Sequence, residues 1–540
     1  MKSSSSRFPL NLNRIIVLLV SVLPIWKAAL VAEDRPNIVM IVLDDLNDFV
    51  GVMGGHPQAK TPNIDRLADR GILFTNAHSN TPVCLPVRAS FMRGVHPVST
   101  GHWGFVPTQR NPIAMGSKTI PEYARENGYK VYSTGKVMHE PKYKTVWDKL
   151  GQPATHGPFP SNGKKRVNHP ALPDTMLEFG ELDGVYSSLA DIPVVPATDS
   201  TPETRGWFNS LYWDGDVPTP FRYVNDNDRD KMIDEKSIDW MKETIAAHDS
   251  YAGDSPFLFA LGILRPHTPF VVPQKYFDMF PLETLQLPPI KENDRDDIGV
   301  KGYGSRGYKI FKALENGYED PNIGLKLYLQ AYLASVAFAD DIVGQALDAI
   351  DASPYRDNTV VMLFSDHGYH FGEKDEVWKF THWDDATRVP FIISDLRDTA
   401  HAGKTVNHPI SLVDVFPTIA DLGAMTGSTL INSQGAPVDG HSLRPFLEDP
   451  EHGKWDGPDY AVMVTYSFTG SKEPRRQNLS IRTERFRYIL YGTGGEELYD
   501  HANDPHEWTN LASNPEYASV VAKLKAELYD YVPASLPGAK

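Results

Sequence analysis

The chain has 540 residues, of which 41% are hydrophobic, 23% charged and 11% aromatic. These values exclude a disordered, collagenous or coiled-coil chain and leave room for three domains, or for one large α/β domain with an appendage. The formal net charge of -16 is opposite to the basic surface that binds nucleic acid, so we expect no nucleic-acid partner. The single cysteine, Cys84, excludes an internal disulfide and a paired-cysteine metal or redox site.

The first 32 residues have the pattern of a secretory signal peptide. Basic residues Lys2, Arg7 and Arg14 precede an apolar run at 15–26, and small residues follow it. The run is shorter than the roughly 20 apolar residues that span a bilayer, and no later stretch reaches that length. We therefore predict an exported protein, periplasmic or secreted, without stable membrane insertion. An uncleaved membrane anchor is the alternative interpretation.

After the N-terminus, apolar strands alternate with helical patterns. Continuous apolar runs, typical of strands buried on both faces, occur at 38–43, 129–134, 256–263 and 359–364. Apolar residues spaced as on one face of a helix occur at 64–70, 235–246 and 328–350. This alternation predicts an α/β fold with a doubly wound, mostly parallel sheet flanked by helices.

Two long stretches interrupt this alternation, and the pattern changes near the C-terminus. The stretches 140–230 and 271–325 are rich in proline, glycine, asparagine and aspartate, so we interpret them as surface insertions. Short strands are predicted at 460–466, 479–483 and 487–490, and an amphipathic helix at 520–531. The predicted organisation is a signal peptide at 1–32, a main catalytic domain at 33–450 and a small C-terminal α+β subdomain at 451–540.

Chemically capable side chains follow each predicted strand of the main sheet. Asp44 and Asp45 follow the first strand, Lys136 and His139 the second, His267 the third, and Asp366 and His367 the fourth. Ligands of open α/β sheets bind outside the carboxyl ends of the strands, so we expect these residues to converge on one crevice. The alternatives are a cap or turn for the paired aspartates and a structural role for each histidine.

Three of these side chains are carboxylates, namely Asp44, Asp45 and Asp366. Together with carbonyl or imidazole ligands, these carboxylates would suit a hard divalent cation. We expect Ca²⁺, and Mg²⁺ is the alternative. A solvated acidic rim without an ion is the other interpretation.

The segment around the single cysteine has the features of a helix start. Pro86 stands where a helix could begin, and Arg88 lies about one turn after Cys84. Since the free N–H groups and dipole of a helix N-terminus attract anions, Cys84 would face a bound anion. A buried cysteine that only packs in the core is the alternative.

The sequence Cys84-Leu85-Pro86-Val87-Arg88 resembles the sulfatase signature Cys-x-Pro-x-Arg, in which the cysteine is converted to formylglycine. Blocks that resemble sulfatases in the same order are Arg35-Pro36-Asn37 before Asp44-Asp45, residues 61–68, Gly135-Lys136-x-x-His139, Pro266-His267-x-Pro269-Phe270, Ser365-Asp366-His367-Gly368, Trp378-Lys379 and residues 497–511. The resemblance covers about residues 35–515, and the Lys136-x-x-His139 and Asp366-His367 blocks are most similar to the iduronate-2-sulfatase branch, whose members act on sulfated sugars. Val87 departs from the family, because many sulfatases have serine there.

The resemblance implies an alkaline-phosphatase-like fold and a calcium-dependent sulfatase. The implied nucleophile is the hydrated aldehyde of residue 84, which would attack sulfur. The implied ligands of Ca²⁺ are Asp44, Asp45, residue 84, Asp366 and His367. Maturation of Cys84 would require a separate formylglycine-generating enzyme of the host.

The resemblance also implies roles for the basic side chains. Arg88 would steady the hydrated aldehyde, while Lys136 and Lys379 would neutralise sulfate oxygens. His267 would protonate the leaving sugar oxygen, a task that Lys379 could share. His139 would take a proton from the second hydroxyl, so that the sulfated intermediate expels sulfate.

Sugar recognition is expected from loops around the sulfate site. Trp213 is a candidate because it belongs to an aromatic group at 207–213 beside Asp214 and Asp216, although this group could instead anchor the insertion. His382 is a second candidate, with a packing or surface role as its alternative. The predicted substrate is a sulfated carbohydrate. A phosphoester or phosphonate hydrolase of the same fold, and an unmodified binder of sulfated glycans, are the competing functions.

Overall fold

The computed structural model describes Met1 and residues 35–139, 145–153, 155–209, 218–300 and 305–536. The predicted signal peptide therefore lies outside the described residues, apart from Met1. Within these ranges, no helix has both the length and the apolar character needed to cross a membrane.

An eight-stranded sheet forms the centre of the main domain. Its strands are β1 (Asn37–Asp44), β2 (Ile72–Phe74), β3 (Lys130–Gly135), β4 (Lys149–Pro153), β5 (Phe257–Pro266), β6 (Thr359–Ser365), β7 (Phe391–Asp395) and β8 (Lys404–Val406). They lie in the order β8-β2-β7-β6-β1-β5-β3-β4. Neighbours are parallel except on the two sides of β7, which runs antiparallel. The predicted mostly parallel α/β sheet is confirmed.

Helices cover both faces of this sheet. In the described residues, those of eight or more residues are α1 (Pro62–Asp69), α2 (Cys84–Phe91), α3 (Ile233–Ala246), α4 (Arg306–Asn316), α5 (Pro321–Asp351), α6 (Val415–Leu422) and α7 (Ala518–Tyr531). Shorter helices are Pro97–Thr100, Pro112–Gly116, Ile120–Glu126, Gly180–Asp183, His248–Ala252, Gln274–Phe277, Asp384–Thr387 and Arg444–Glu448. Each predicted helix of the main domain has a counterpart among them.

The continuous apolar run of β1 is explained by burial on both faces. Residues 39, 41 and 43 enter a hydrophobic cluster with α1, α3 and α5, whereas residues 38, 40 and 42 enter a second cluster with α2 and α6. At the middle of the strand, Met40 lies opposite Ala260 of β5 and Met362 of β6. Each face of the central strand therefore contributes to a separate part of the core.

Both predicted insertions contain elements of the main architecture, so their interpretation as surface segments was partly wrong. The first supplies β4, which pairs with β3 at the sheet edge, and the second supplies α4, which packs on α5. The sequence of β4 has no apolar run, because an edge strand is only partly covered. The short strand pairs and ribbons are Ala77–His78 with Ile410–Ser411, Phe159–Pro160 with Trp207–Asn209 and Thr219–Phe221, Tyr186–Ser188 with Phe270–Val272, Val194–Val195 with Thr204–Arg205, Tyr223–Asn225 with Asp228–Arg229, and His370–Phe371 with Val377–Trp378.

The C-terminal region forms an antiparallel sheet covered by α7. Its four strands are β9 (Tyr460–Thr465), β10 (Asn478–Thr483), β11 (Phe486–Leu490) and β12 (Glu496–Asp500). The predicted α+β character is confirmed, but β12 was not predicted. Its acidic sequence is unusual for a strand, and Glu497 is buried because its carboxylate accepts hydrogen bonds from Trp383, Tyr491 and Tyr499.

Candidate active site

The carboxyl ends of β6, β1, β5 and β3 lie side by side at one edge of the sheet. Because these strands are parallel, the side chains at their ends meet there. These side chains are Asp44 and Asp45 of β1 and its turn, His267 after β5, Asp366 and His367 after β6, and Lys136 after β3. All six are buried. The structure thus brings together residues that the sequence predicted to converge.

The turn after β1 is held by β6 and α5. Asp45 has a φ of 67°, in the left-handed region that non-glycine residues seldom occupy. Its N–H donates to Asp366 Oδ1 at 3.2 Å, and its carbonyl accepts the Tyr332 hydroxyl at 2.9 Å. Strained conformations persist where several contacts enforce them, so the Asp45 carboxylate has a defined position.

Cys84 is the first residue of α2, two residues before Pro86, close to the predicted helix start. The side chain is buried at the sheet edge. Its Sγ lies 3.2 Å from His367 Nε2 and 3.3 Å from Lys379 Nζ. The cysteine therefore lies inside the polar cluster rather than in the apolar core.

Arg88, one turn along α2, joins the helix to the strand ends. Its Nε donates to Asp366 Oδ2 at 2.9 Å, and its Nη2 lies 3.3 Å from Asp44 Oδ1. Its Nη1 donates to the carbonyls of Lys136 and Val137. The guanidinium is 1% exposed, so it is a fixed charge that orients two carboxylates and the segment carrying Lys136.

Two lysines complete the cationic side of the site. Lys136 is ion-paired with Asp44, and Lys379 Nζ lies 2.6 Å from Asp45 Oδ1. Burial opposes the charge of Asp44, but the surrounding cations, with Lys136 first, hold the pKa of Asp44 well below its usual range. Burial likewise opposes the charge of Lys379, but Asp45 keeps the pKa of Lys379 well above its usual value. Lys379 is therefore charged at neutral pH.

Lys379 is positioned by a tight hairpin. Its strands are His370–Phe371 and Val377–Trp378, and Lys379 follows the second directly. The residues on either side, Trp378 and Phe380, have φ values of 147° and 76°. Such a distorted backbone aims the lysine inward, and its side chain is only 6% exposed.

Three histidines line the other side of the site. The ring centroids of His156 and His267 are 4.9 Å apart, and His156 Nε2 lies 3.4 Å from Lys136 Nζ. The third histidine, His139, lies beside the exposed side chain of Phe105. Burial, together with the charge of Lys136, lowers the pKa of all three, to about 3 for His139. The imidazoles are therefore neutral without a bound anion and can accept protons.

The sequence analysis missed His156. It lies in the first insertion, where no strand or helix pattern marked it. In the structure, Arg265 positions His156. Its buried guanidinium donates hydrogen bonds to the carbonyl of Gly157, the residue after His156, and to the carbonyl of His267. One arginine therefore sets the relative position of two neighbouring histidine segments, a relation that no sequence spacing reveals.

The carboxylate edge fits a divalent cation. Asp45 Oδ2 is buried without a hydrogen bond in the described structure, and the buried oxygens of Asp44 contact only the ion-paired side chains of Arg88 and Lys136. Asp44, Cys84, Asp366 and His367 each offer an atom within 4.8 Å of the others, and Asp44, Asp45, Cys84 and His267 form an overlapping set. Burial raises the pKa of Asp45 to about 7, so its negative charge is incompletely balanced by the protein. A bound cation would supply that balance.

The two predicted sugar-contacting residues have different outcomes. Trp213 lies outside the described residues, so its role stays a prediction, whereas Trp207 of the same group is buried and donates to the Leu189 carbonyl. His382 is buried at the contact with the C-terminal sheet, and its ring nitrogens lie 2.9 Å from Ser480 Oγ and 2.8 Å from Thr465 Oγ1. These contacts favour the packing role that was the alternative for His382.

We expect His382→Ala to destabilise the protein by about 2–4 kcal/mol, because it leaves two buried hydroxyls unpaired and creates a cavity. Burial lowers the pKa of His382 to about 3, below the ordinary value near 6.5. Between these values the unfolded state binds more protons, so this histidine makes stability fall as pH falls. The variant should therefore lose less stability than the wild type between pH 6.5 and 4, as measured by urea unfolding.

A matched control is His408→Ala, since His408 is a partly exposed histidine paired with Asp459. It should change stability by less than about 1 kcal/mol. A raised KM in His382→Ala with unchanged stability would show instead that His382 contacts substrate.

The site combines buried carboxylates, a helix that begins at Cys84, and lysine, arginine and histidine side chains at the carboxyl edge of an α/β sheet. This combination is typical of hydrolases that act on anionic esters. The sulfatase family model matches residues 36–425, and the model for the C-terminal region of N-sulphoglucosamine sulphohydrolase matches residues 372–533. The chain belongs to the sulfatase family and is a sulfuric ester hydrolase.

Curated relatives support the family, and a solved structure shows the same fold. A sulfatase of Formosa agariphila is 30% identical over 501 residues, covering 92% of this chain and 86% of the relative. Mouse iduronate 2-sulfatase is 28% identical over 431 residues, covering 73% and 70%. In fold, the chain is similar to the phosphonate monoester hydrolase of Agrobacterium radiobacter, with a TM-score of 0.62, 21% identity and coverage of 92% and 95%.

Proposed function

We propose that this sulfatase is exported and removes sulfate from a sulfated carbohydrate, using formylglycine at residue 84 and Ca²⁺. The observation that carries the proposal is the position of Cys84, which opens α2 between His367 and Lys379 and stands in the signature with Pro86 and Arg88. The sugar substrate is supported by the likeness to iduronate 2-sulfatase, and export by the signal-like N-terminus.

The surroundings of residue 84 suit an oxygen nucleophile better than a thiol. Burial raises the pKa of the Cys84 thiol, so the reactive thiolate is disfavoured. After conversion by a formylglycine-generating enzyme, the hydrated aldehyde supplies a hydroxyl nucleophile where Sγ now lies. Arg88 contacts both Asp366 and Asp44, so it holds the start of α2, and with it residue 84, next to these two carboxylates.

Asp44, Asp45, Asp366 and His367 would hold the cation. Three carboxylates favour Ca²⁺, whose ligands are mainly oxygen atoms, and Mg²⁺ is the alternative. When bound, the ion supplies Lewis-acid polarisation of a sulfate oxygen and of the nucleophile.

The lysines and histidines of the site have separate proposed roles in binding sulfate and in proton transfer. Lys136 and Lys379, which are ion-paired with Asp44 and Asp45, would bind the sulfate oxygens. A bound sulfate ester brings negative charge next to His267 and would raise its pKa, which enables His267 to donate a proton to the leaving oxygen. The neutral His139 would accept a proton from the second hydroxyl of residue 84.

The direct test compares three substrates on protein produced with the maturation enzyme: a sulfated oligosaccharide, an aryl sulfate and an aryl phosphonate or phosphate. We expect sulfate release to exceed phosphoryl hydrolysis by about 10²-fold or more in kcat/KM. Faster hydrolysis of the phosphonate would favour the competing phosphonate hydrolase. Glycan binding without sulfate release, with an unmodified Cys84 peptide by mass spectrometry, would favour the unmodified binder.

Phe105 is an exposed aromatic residue beside His139 and a candidate for sugar recognition. Its ring is 57% exposed and its centroid lies 6.3 Å from that of His139. We expect Phe105→Ala to raise KM for a sulfated oligosaccharide about 3- to 10-fold, because a stacking surface for a sugar ring is lost. The kcat for a small aryl sulfate should change by less than about twofold.

Tyr251→Ala provides the control. Its exposed ring packs on Lys149 and lies near Lys130, at the amino end of β3 and thus at the opposite edge of the sheet. This change should leave both substrates unaffected. Equal losses on both substrates in Phe105→Ala, with a lower Tm, would show that Phe105 is structural.

A further inference from the structure

A second group of potential metal ligands lies where the hairpin before Lys379 meets the helix Asp384–Thr387. His370 Nδ1 lies 3.6 Å from Asp385 Oδ2 and 3.9 Å from Glu373 Oε2. Ligand atoms of the three residues lie within 4.8 Å of one another. His370 is fully buried and Glu373 is 9% exposed, whereas the Asp385 side chain is 30% exposed and leaves a path from solvent.

The inner ring nitrogen of His370 has no hydrogen-bond partner among the described residues, although it is fully buried. The other nitrogen, Nε2, lies 2.7 Å from Thr381 Oγ1. If Nε2–H donates to Thr381, the lone pair of Nδ1 faces two carboxyl groups, which is repulsive unless a proton or a metal ion lies between them. Metal-binding histidines usually donate their second N–H to an oxygen in this way.

The carboxylates of this group are not balanced by basic side chains. Arg388 pairs with Asp48 and Asp384, and Lys374 pairs with Asp294. Across the described ranges, no lysine or arginine is ion-paired with Glu373 or Asp385. Burial raises the pKa of Glu373 to about 7, and burial and the nearby Glu373 raise that of Asp385 well above its usual value. A divalent cation would therefore bind in this pocket by displacing protons from desolvated carboxyl groups.

We propose that His370, Glu373 and Asp385 bind a divalent transition-metal ion, with Zn²⁺ as its representative, at a site separate from that of Asp44. One imidazole with two carboxylates suits zinc better than calcium. Ligands of a tetrahedral zinc lie about 3.3–3.6 Å apart, close to the distances around His370. The ion would join the Lys379 hairpin to the helix Asp384–Thr387.

The test is equilibrium dialysis of the full-length, metal-stripped protein against Zn²⁺ with saturating Ca²⁺, followed by atomic emission. We expect about one zinc per chain in the wild type and at least about tenfold weaker binding in His370→Ala. Asp385→Asn conserves the shape of a partly exposed side chain, so it should fold even if His370→Ala does not. It should weaken zinc binding to a similar extent. Zinc should also raise the Tm of the wild type but not of either variant.

Two controls separate this site from the first. Asp366→Ala, which damages the Asp44 site, should still bind one zinc, and His408→Ala should match the wild type. The proposal is overturned if the wild type binds no zinc under calcium, if folded Asp385→Asn binds it unchanged, or if zinc binding disappears in Asp366→Ala.

Discussion

Cys84→Ala will lower sulfate release by at least about 10³-fold, the largest effect expected for any single change in this protein. The substitution removes the only side chain that can be converted to the aldehyde, while Lys136, Lys379 and the carboxylates remain in place. Substrate binding should survive, because the charges that attract sulfate are unchanged. The measurement is turnover of an aryl sulfate, together with the mass of the residue 84 peptide in active wild-type enzyme, which should show loss of the thiol.

The fold should tolerate this change. Cys84 is a small buried residue, so alanine should cost less than about 2 kcal/mol and leave the Tm near that of the wild type. Ala89→Ser, on the same helix, provides a matched control whose activity should persist, since Ala89 is partly exposed and its side chain is absent from the cluster. Full activity in Cys84→Ala would refute the proposed mechanism.

Asp44→Asn should remove the cation and activity together, with a loss of at least about 10³-fold in kcat/KM. Asp44 is fully buried, pairs with Lys136 and Arg88, and belongs to both overlapping ligand groups of the site. Without its charge, the metal ion loses a ligand, Lys136 loses its ion pair, and Arg88 keeps only Asp366. Calcium content per chain and aryl sulfate kinetics measure the two effects.

Asp340→Asn is the matched control for a buried aspartate. Its carboxylate accepts hydrogen bonds at the start of α1 from Asn63 and Ile64, on the helical layer rather than at the carboxyl edge. This variant should lose stability but keep its calcium and its KM. Wild-type turnover that persists after exhaustive chelation would contradict a role for the metal.

The ends of the central strands were predictable because an α/β sheet imposes a simple pattern. A strand buried on both faces must be apolar throughout, as β1 and β6 are, and its polar neighbours must lie beyond its ends. Asp44, Asp45, Asp366 and His367 were therefore visible as a group. Lys379 required the family resemblance, since it follows no strand of the central sheet. Cys84 was a candidate from its place at a helix start, and only the resemblance gave it a chemical role.

Two strands and two histidines could not be placed from the sequence, because no local sequence pattern marks them. Edge strand β4 and acidic strand β12 escaped prediction because pairing and buried hydrogen bonds, rather than apolar residues, hold them. His156 reaches the site only through the fold of an insertion. His382 is assigned to packing by Ser480 and Thr465, which are 98 and 83 residues away in the chain.

The sequence by itself determined the α/β class, the strand ends that carry the carboxylates and the family signature around Cys84, because periodicity and motif spacing are local properties of the chain. Only the tertiary structure decided which charges pair, as Lys379 does with Asp45, and which histidines stay neutral. It also decided that His370 faces two carboxylates. The physical reason is that pairing energies and pKa values depend on burial and on distances of a few ångströms between residues far apart in the chain.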